Sequence, residues 1–237
     1  MIIRCIHIFL LIIFSAQTFA QEKPIFLNEL NIELDQKIDF SQETFQRQYQ
    51  SRVWTAELRN EIKEKILTQI QLGGYYFAAL DSSSILINSA QQTVSASFFY
   101  EVGKQVTLQT TSLVEPSIPL LLQDQISELF SDYSGKIYTP ALANQLFADM
   151  LTKLENNGFP LAKVSTDDFQ VRDENNIIQL DLALRIEPGD SVKLAYLKFP
   201  KRPQDISPYL KSLLGFKNGQ PYSHQKIANY RRILQRQ

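Results

Sequence analysis

The 237-residue chain repeats a short pattern at a fixed interval. Ser51-Arg52-Val53-Trp54-Thr55, Gly135-Lys136-Ile137-Tyr138-Thr139 and Gly219-Gln220-Pro221-Tyr222-Ser223 lie 84 residues apart each time. Each pairs a small residue with an aromatic three positions on, then a hydroxyl residue, then a helical pattern. Nineteen residues after Thr55 stands Gly74-Tyr75-Tyr76-Phe77-Ala78-Ala79-Leu80, and nineteen after Thr139 stands Gly158-Phe159-Pro160-Leu161-Ala162-Lys163-Val164. A repeat of this length means that one structural unit is built more than once. A third glycine of this kind falls near position 242, beyond Gln237. The sequence is therefore expected to be the N-terminal part of a longer protein or a truncated product.

The first twenty residues have a different character. Met1-Ile2-Ile3-Arg4 is a short positive start, and an almost wholly apolar run follows from Ile6 to Phe14. Ser15-Ala16-Gln17-Thr18-Phe19-Ala20 ends on a small residue. This is the pattern of a secretory signal peptide, with cleavage expected after Ala20 and a mature chain from Gln21. Cys5, the one cysteine, lies in that leader, so the mature chain can form no disulfide and must rely on apolar cores. No later stretch reaches the length of apolar residues that a spanning helix needs. The net charge of −1 argues against a general nucleic-acid binder. The basic run Tyr230-Arg231-Arg232-Ile233-Leu234-Gln235-Arg236 reads as a solvated helix face.

Periodicity supplies the elements. Residues 25–34 read as a strand with Phe26, Leu30, Ile32 and Leu34 on one face. Phe40, Phe45 and Tyr49 are spaced as a helical stripe within 36–50. Leu58, Ile62, Ile66, Leu67 and Ile70 mark an amphipathic helix that Thr55 caps and Gly73-Gly74 stops. Strands are expected over 76–87, over 94–100 with Val94, Ala96 and Phe98 on one side, and from Val106. The same order then recurs. A helix over 119–133 carries Leu122, Ile126, Leu129 and Phe130. A helix from Thr139 turns Leu142, Leu146, Met150, Leu151 and Leu154 inward and ends at Asn157-Gly158, where a left-handed residue is usual. A strand over 163–171 leads to a turn at Asp173-Glu174-Asn175-Asn176. Ile178, Leu180, Leu182, Leu184 and Ile186 alternate without a break. Glu187-Pro188-Gly189-Asp190 then turns into a strand over 192–199, followed by helices near 206–214 and after Tyr222. Each unit is thus strand, helix, helix, strand, strand: an α+β layer with two helices on a three-stranded sheet.

The side chains offer no catalytic constellation. His224 is the one histidine of the mature chain and reads as a capping or surface residue beside Ser223. Asp167-Asp168 is no carboxylate pair if adjacent strand residues point to opposite faces. No His/Cys/acid cluster has metal-ligand spacing, and no glycine-rich phosphate loop is present. No enzyme activity and no cofactor are expected. The stretch Tyr75-Tyr76-Phe77-Ala78-Ala79 is either a binding surface or strand packing beneath a helix.

The aromatic-hydroxyl helix start, the helix ending in Gly74-Tyr75 or Gly158-Phe159, the Ala162-Lys163-Val164 step and the strand into Glu187-Pro188-Gly189-Asp190-Ser191-Val192 together resemble the POTRA domain. Gly215-Phe216-Lys217-Asn218-Gly219-Gln220-Pro221-Tyr222-Ser223 looks like that family's linker into its second helix. Glu101-Val102-Gly103 departs from the family's Glu-Pro-Gly, and Ser51 stands where the other copies have glycine. Beyond the signal peptide over 1–20, the resemblance implies POTRA-like units over 25–104 (divergent), 105–190 and 191–237 (truncated). It further implies the periplasmic arm of an outer-membrane barrel protein of the barrel-assembly (BamA/TamA-like) family, on the periplasmic face of the outer membrane. Its partners would be unfolded barrel precursors, possible accessory periplasmic or lipoprotein subunits, and the membrane itself through a C-terminal barrel that this sequence does not contain. By the same analogy the edge strand is the one after each Gly-aromatic, over 77–86 and 161–171, with 177–186 central. Leu161, Lys163, Ser165, Asp167, Phe169 and Val171 are then the expected peptide-binding edge. Two alternatives remain: the transporter arm of a two-partner secretion system, and a periplasmic enzyme dependent on His224.

Overall fold

The computed structural model describes residues 23–174, 177–198 and 207–236. The leader with Cys5, the Asn175-Asn176 part of the expected turn and the end of the expected strand over 192–199 lie outside them. The first unit comprises β1 (Phe26–Leu34), α1 (Gln42–Tyr49), α2 (Ala56–Leu72), β2 (Ala79–Asn88) and β3 (Thr93–Glu101). The second comprises β4 (Val106–Val114), α3 (Leu120–Tyr133), α4 (Pro140–Asn156), β5 (Lys163–Glu174) and β6 (Ile177–Glu187). A C-terminal segment repeats the beginning of the order with β7 (Lys193–Leu194), α5 (Ser207–Leu214), β8 (Gln220–Pro221) and α6 (His224–Leu234). The fold is α+β, in tandem strand-helix-helix-strand-strand units.

Connection length decides the sheet order. Few residues separate the last two strands of each unit, and they pair antiparallel. The first strand can reach the same sheet only across two helices, which makes its pairing parallel. The orders are β1-β3-β2 and β4-β6-β5, so the last strand of each unit is central. Ile178, Leu180, Leu182, Leu184 and Ile186 of β6 are all buried against Ile126, Leu146, Met150 and Leu154 of the helices. Val94, Ala96, Phe98 and Tyr100 of β3 do the same work beneath Ile62, Ile66 and Ile70. Both cores are built from alternation meeting a helical stripe.

Several expectations need correction. Phe26 is exposed and Leu27 is buried in its place, because the extra residue Asn28 shifts side-chain parity along β1. Leu151 is 38% exposed, because it stands about 100° round the helix from buried Met150. Residues 75–78 form a turn closed by the Ala78 N–H on the Tyr75 carbonyl (3.2 Å), so β2 begins at Ala79. Asp173 and Glu174 belong to β5 rather than to a turn, and β7 spans two residues only.

The repeat corresponds to a backbone clasp. The N–H groups of Ser51, Gly135 and Gly219 donate to the carbonyls of Leu27, Leu108 and Leu194 at 2.7, 2.8 and 2.8 Å. The N–H groups of Trp54, Tyr138 and Tyr222 donate to Ile25, Val106 and Val192 at 2.7, 2.7 and 2.9 Å. Thr55, Thr139 and Ser223 then cap the next helix, accepting from the N–H groups of Leu58, Leu142 and Lys226. The small residue must adopt a left-handed conformation to make this turn: φ is +78° at Gly135, +76° at Gly219 and +66° at Ser51. The second departure from the family pattern also has a local reason. Val102 is buried and donates its N–H to Asp35 Oδ1 at 2.9 Å, a bond that a proline could not make.

A polar tie crosses the outer face of the second sheet. The Thr110 hydroxyl of β4 donates to Asp181 of β6, and Arg172 of β5 pairs with the same carboxylate. The Thr110 hydrogen bond, with Arg172 adding to it, holds the Asp181 carboxyl below its ordinary value.

Two outcomes follow. Ser51→Gly relieves a left-handed L-residue, which costs roughly 1–2 kcal/mol, against about 0.5–1 kcal/mol of extra glycine entropy. Thermal melts should show a more stable first unit by about 0.5–1 kcal/mol. Asp181 has a depressed folded pKa, so its stabilising contribution is present above the ordinary aspartate value of about 3.9 and is lost as pH falls through the lower folded value. Asp181→Asn should therefore melt below the parent at pH 7, with the gap closing on acidification below that value.

Candidate functional site: an open edge and an aromatic groove

The two edges of the second sheet differ. On the β4 side, the clasp already occupies the backbone. Leu108 N–H donates to Lys136 carbonyl at 2.9 Å, Tyr138 N–H to Val106 carbonyl, Gly135 N–H to Leu108 carbonyl, and Ser134 Oγ to Gln109 carbonyl at 2.7 Å. On the β5 side nothing equivalent exists among the described residues. Among the described residues, the only side chain on a backbone donor of β5 is Asp168, whose Oδ1 accepts from the Phe169 N–H at 2.8 Å. An edge without partners is a template for another strand. The first sheet has the same asymmetry: the Ser51–Trp54 linker closes β1, while β2 stands at the other edge.

Both edge strands of each sheet carry a bulge, at Asn28, Asp81, Gln109 and Asp167. The one at Asp167 reorganises the expected site. Thr166 pairs with Leu184 and Asp168 with Ala183, so Asp167 is the extra residue. Side-chain parity therefore changes halfway along β5. Lys163 and Ser165 sit opposite Glu187 and Arg185 on the outer face, and Asp167 pairs there with Arg185. Phe169 and Val171 sit opposite Leu182 and Leu180, on the helix side. Leu161 precedes the strand and is exposed. The alternate positions expected as one set are thus divided between two faces.

The bulge also corrects the reading of Asp167-Asp168. Adjacent strand residues were expected on opposite faces. Here Asp167 reaches Arg185 and Asp168 lies beside Thr110, Asp181 and Ala183, so both face outward. Each is already engaged, Asp167 by a guanidinium and Asp168 by a backbone N–H.

On the helix side of β5 lies an apolar groove of about 480 Å³. Phe169, Val171 and Thr166 of β5 line one wall, with Leu180 and Leu182 beneath. The opposite wall comes from the first unit's turn, through Tyr76 and Phe77, together with Tyr138. Phe77, Phe169 and Val171 are 57%, 62% and 43% exposed. The three aromatics of that turn go separate ways: Tyr75 packs on the first core, Tyr76 on the second, and Phe77 faces the groove. Tyr76 and Tyr138 meet with ring centroids 5.9 Å apart. Burial raises both phenol pKa values, with Tyr138 adding to the effect on Tyr76, so both remain neutral hydroxyls. The separation of Tyr76 from β5 by 87 or more residues hid this groove from the sequence.

The remaining motif residues form the junctions. Gly74, at φ +90°, accepts the Val106 N–H on its carbonyl at 2.9 Å; Gly158, at φ +97°, accepts the Val192 N–H at 2.7 Å. Gly158 N–H bonds the Glu155 carbonyl and Phe159 N–H the Leu154 carbonyl, which closes α4. Asn156 Oδ1 accepts from Ser223 Oγ and the Gln225 N–H, tying α4 to α6. His224 lies 3.6 Å from Glu155 at this same junction. Gly189 has φ +65° and turns the chain past Leu161. Gly219 and Tyr222 belong to the third clasp. Among the described residues no group of three or more His, Cys, Asp or Glu is placed to hold a metal ion. No helix among them is long and apolar enough to cross a membrane.

No protein-family model matches the sequence, and no curated protein matches it either. Among solved structures, the chain is similar to POTRA3–5 of BamA from Haemophilus influenzae, at 14% identity, with 91% of this chain and 87% of that one covered and a TM-score of 0.43. It is similar to POTRA1–3 of the periplasmic domain of Omp85 from Anabaena, at 16% identity, with 88% and 83% covered and a TM-score of 0.41. It is also similar to CdiB from Escherichia coli, at 10% identity, with 81% of this chain and 30% of that one covered and a TM-score of 0.30.

The junction geometry predicts the cost of a side chain there. A Cβ at Gly158 would lie 3.3 Å from both Pro221 Cβ and the Val192 carbonyl oxygen. Gly158→Val should cost roughly 1–2 kcal/mol from the left-handed backbone, and should also loosen the C-terminal segment from α4. Gly135→Ala, whose Cβ would meet nothing within 4 Å, isolates the backbone strain. Limited proteolysis should release the C-terminal segment faster in Gly158→Val than in Gly135→Ala.

Proposed function

We propose that this chain is a periplasmic POTRA scaffold that takes part in outer-membrane protein assembly or secretion, binding unfolded chain segments by strand addition at the β5 edge. The observation that carries the reading is the asymmetry of the second sheet. The clasp closes β4, whereas β5 presents twelve residues at an edge with one backbone donor covered by a side chain. Strand addition draws its affinity from main-chain hydrogen bonds, so it accepts clients of many sequences. A scaffold that handles diverse unfolded segments needs that tolerance. The secretory-type leader favours an exported location, and the tandem units favour an extended arm rather than a single catalytic pocket. Leu161, Lys163 and Ser165 would flank the client at the start of the strand, Asp167 would kink the edge, and Phe169 and Val171 would contact it beyond the bulge.

The test uses the full chain and a photo-crosslinkable peptide of about ten residues with the alternation of a barrel strand. The parent should crosslink to it through β5. Val171→Pro, shown by circular dichroism to remain folded, should lose most of the crosslinking, whereas Val171→Ala should keep it. A peptide N-methylated at alternate residues tests the same pairing without altering the protein. Equal crosslinking by the N-methylated and unmodified peptides would overturn strand addition at this edge.

A further inference from the structure

We infer that the groove between the first unit's turn and β5 is a side-chain subsite, selecting a strand with apolar residues on one face and a basic residue next to the first of them on the other. The inference rests on strand addition at β5 and adds what such a strand must carry. A strand laid along β5 continues the pleat, so its residues alternate between the two faces of the sheet. Beyond the bulge these faces differ sharply. The helix-side face carries Phe169 and Val171 and the groove that they line with Tyr76, Phe77 and Tyr138, all apolar or neutral. On the outer side they are Asp168, Gln170 and Arg172, with Thr110 and Asp181 behind them. A uniformly polar strand would leave the groove wet, and a uniformly apolar one would place hydrocarbon against the carboxylates.

Charge fixes the register. Asp167 is paired with Arg185, Asp173 with Lys104 at 2.9 Å and Asp181 with Arg172. Among the described residues Asp168 and, at the far end of β5, Glu174 have no cationic partner; Asp168, the one beside Phe169, holds only the Phe169 N–H. A client carbonyl that takes over that N–H frees the carboxylate to pair with a Lys or Arg on the client's outward face. Because Asp168 and Phe169 are adjacent and on opposite faces, the basic residue must neighbour the apolar residue that enters the groove. The occupant is therefore an amphipathic β-strand segment with a basic-apolar step. The β2 edge lacks an equivalent wall among the described residues, since Phe77 and Tyr76 lie against the second unit. The two units thus build one site, with the preceding unit supplying the specificity wall of the following unit's edge.

Fluorescence anisotropy with the full chain tests this. The probes are a labelled peptide Lys-Phe-Ser-Val-Thr-Val-Ser-Val, the same residues scrambled to a helical period, and the alternating peptide with Glu in place of Lys. The parent should bind the alternating Lys peptide at least about 10-fold more tightly than the scrambled one. Phe77→Ser, at an exposed turn position, should weaken that binding about 5-fold or more, and Phe77→Trp should retain it. Asp168→Lys should reverse the preference between the Lys and Glu peptides. If Phe77→Ser binds like the parent while Val171→Pro does not, strand addition stands and the subsite is wrong. If scrambled and alternating peptides bind alike, or Asp168→Lys leaves the preference unchanged, the selectivity is overturned. If neither alternating peptide binds the parent, the β5 edge reading fails along with it.

Discussion

The pairing of each first strand with the linker before the next long helix is the interaction on which the architecture depends. Two backbone N–H groups, three residues apart, reach back to the first strand, and the hydroxyl that follows caps the helix. This clasp fixes where the helix begins. It also consumes backbone groups at the outer edge of that strand. Because the opposite edge is formed by a strand that few residues separate from the central one, no linker passes beside it. The sheet is therefore closed on one side and open on the other by the same local constraint. The left-handed φ of Ser51 shows how strongly the clasp is held: the backbone keeps the turn even where the residue is not glycine.

The open edges are not flat templates. A bulge interrupts β2 near its start and β5 near its middle, and bulged edges resist indiscriminate pairing because they twist and change parity. In β5 the consequence is a division of labour along one strand. At the bulge Asp167 is tied to Arg185 of the central strand. After it, Phe169 and Val171 stand beside a groove that the first unit completes. Asp168 covers a backbone donor at the point where the two halves meet. An incoming strand has to displace a weak intramolecular bond there, which disfavours partners that offer nothing in return.

Much of this fold was legible because its signals are local. Hydroxyl caps, glycine stops and the unbroken alternation of Ile178 to Ile186 each act within a turn or a strand, so sequence reading placed α2, α4 and the central strand. What escaped has a common cause. The bulge at Asp167 is one extra residue that leaves no compositional trace, yet it moves Phe169 and Val171 to the other face and Asp167 beside Asp168. Leu151 was read as inward because a neighbouring apolar residue counts towards periodicity while standing off the buried stripe. The Tyr75-Tyr76-Phe77 run looked like strand packing or a surface. It serves three environments at once because the second unit docks onto it, and that docking is a contact between segments distant in sequence. Closure of the β4 edge was equally hidden, since it uses backbone groups that every residue possesses.

The junction glycines connect these observations. Gly74 sits where a Cβ would come within 2.6 Å of Ile137 Cγ2, so the second unit's linker approaches the end of α2 as closely as packing allows. Its carbonyl also receives the Val106 N–H, and the Gln105 amide reaches the Gly73 carbonyl at 3.0 Å. These contacts hold the turn that carries Tyr76 and Phe77 against Tyr138 and β5. The same glycine that stops a helix thus stands at the base of the turn that lines the groove at the next unit's edge. Gly158 occupies the equivalent place before the C-terminal segment, but the turn after it carries Pro160 and Leu161 in place of Tyr76 and Phe77. Repetition of the backbone device therefore reproduces the architecture, while the two residues after each Gly-aromatic step determine what a neighbouring edge can hold.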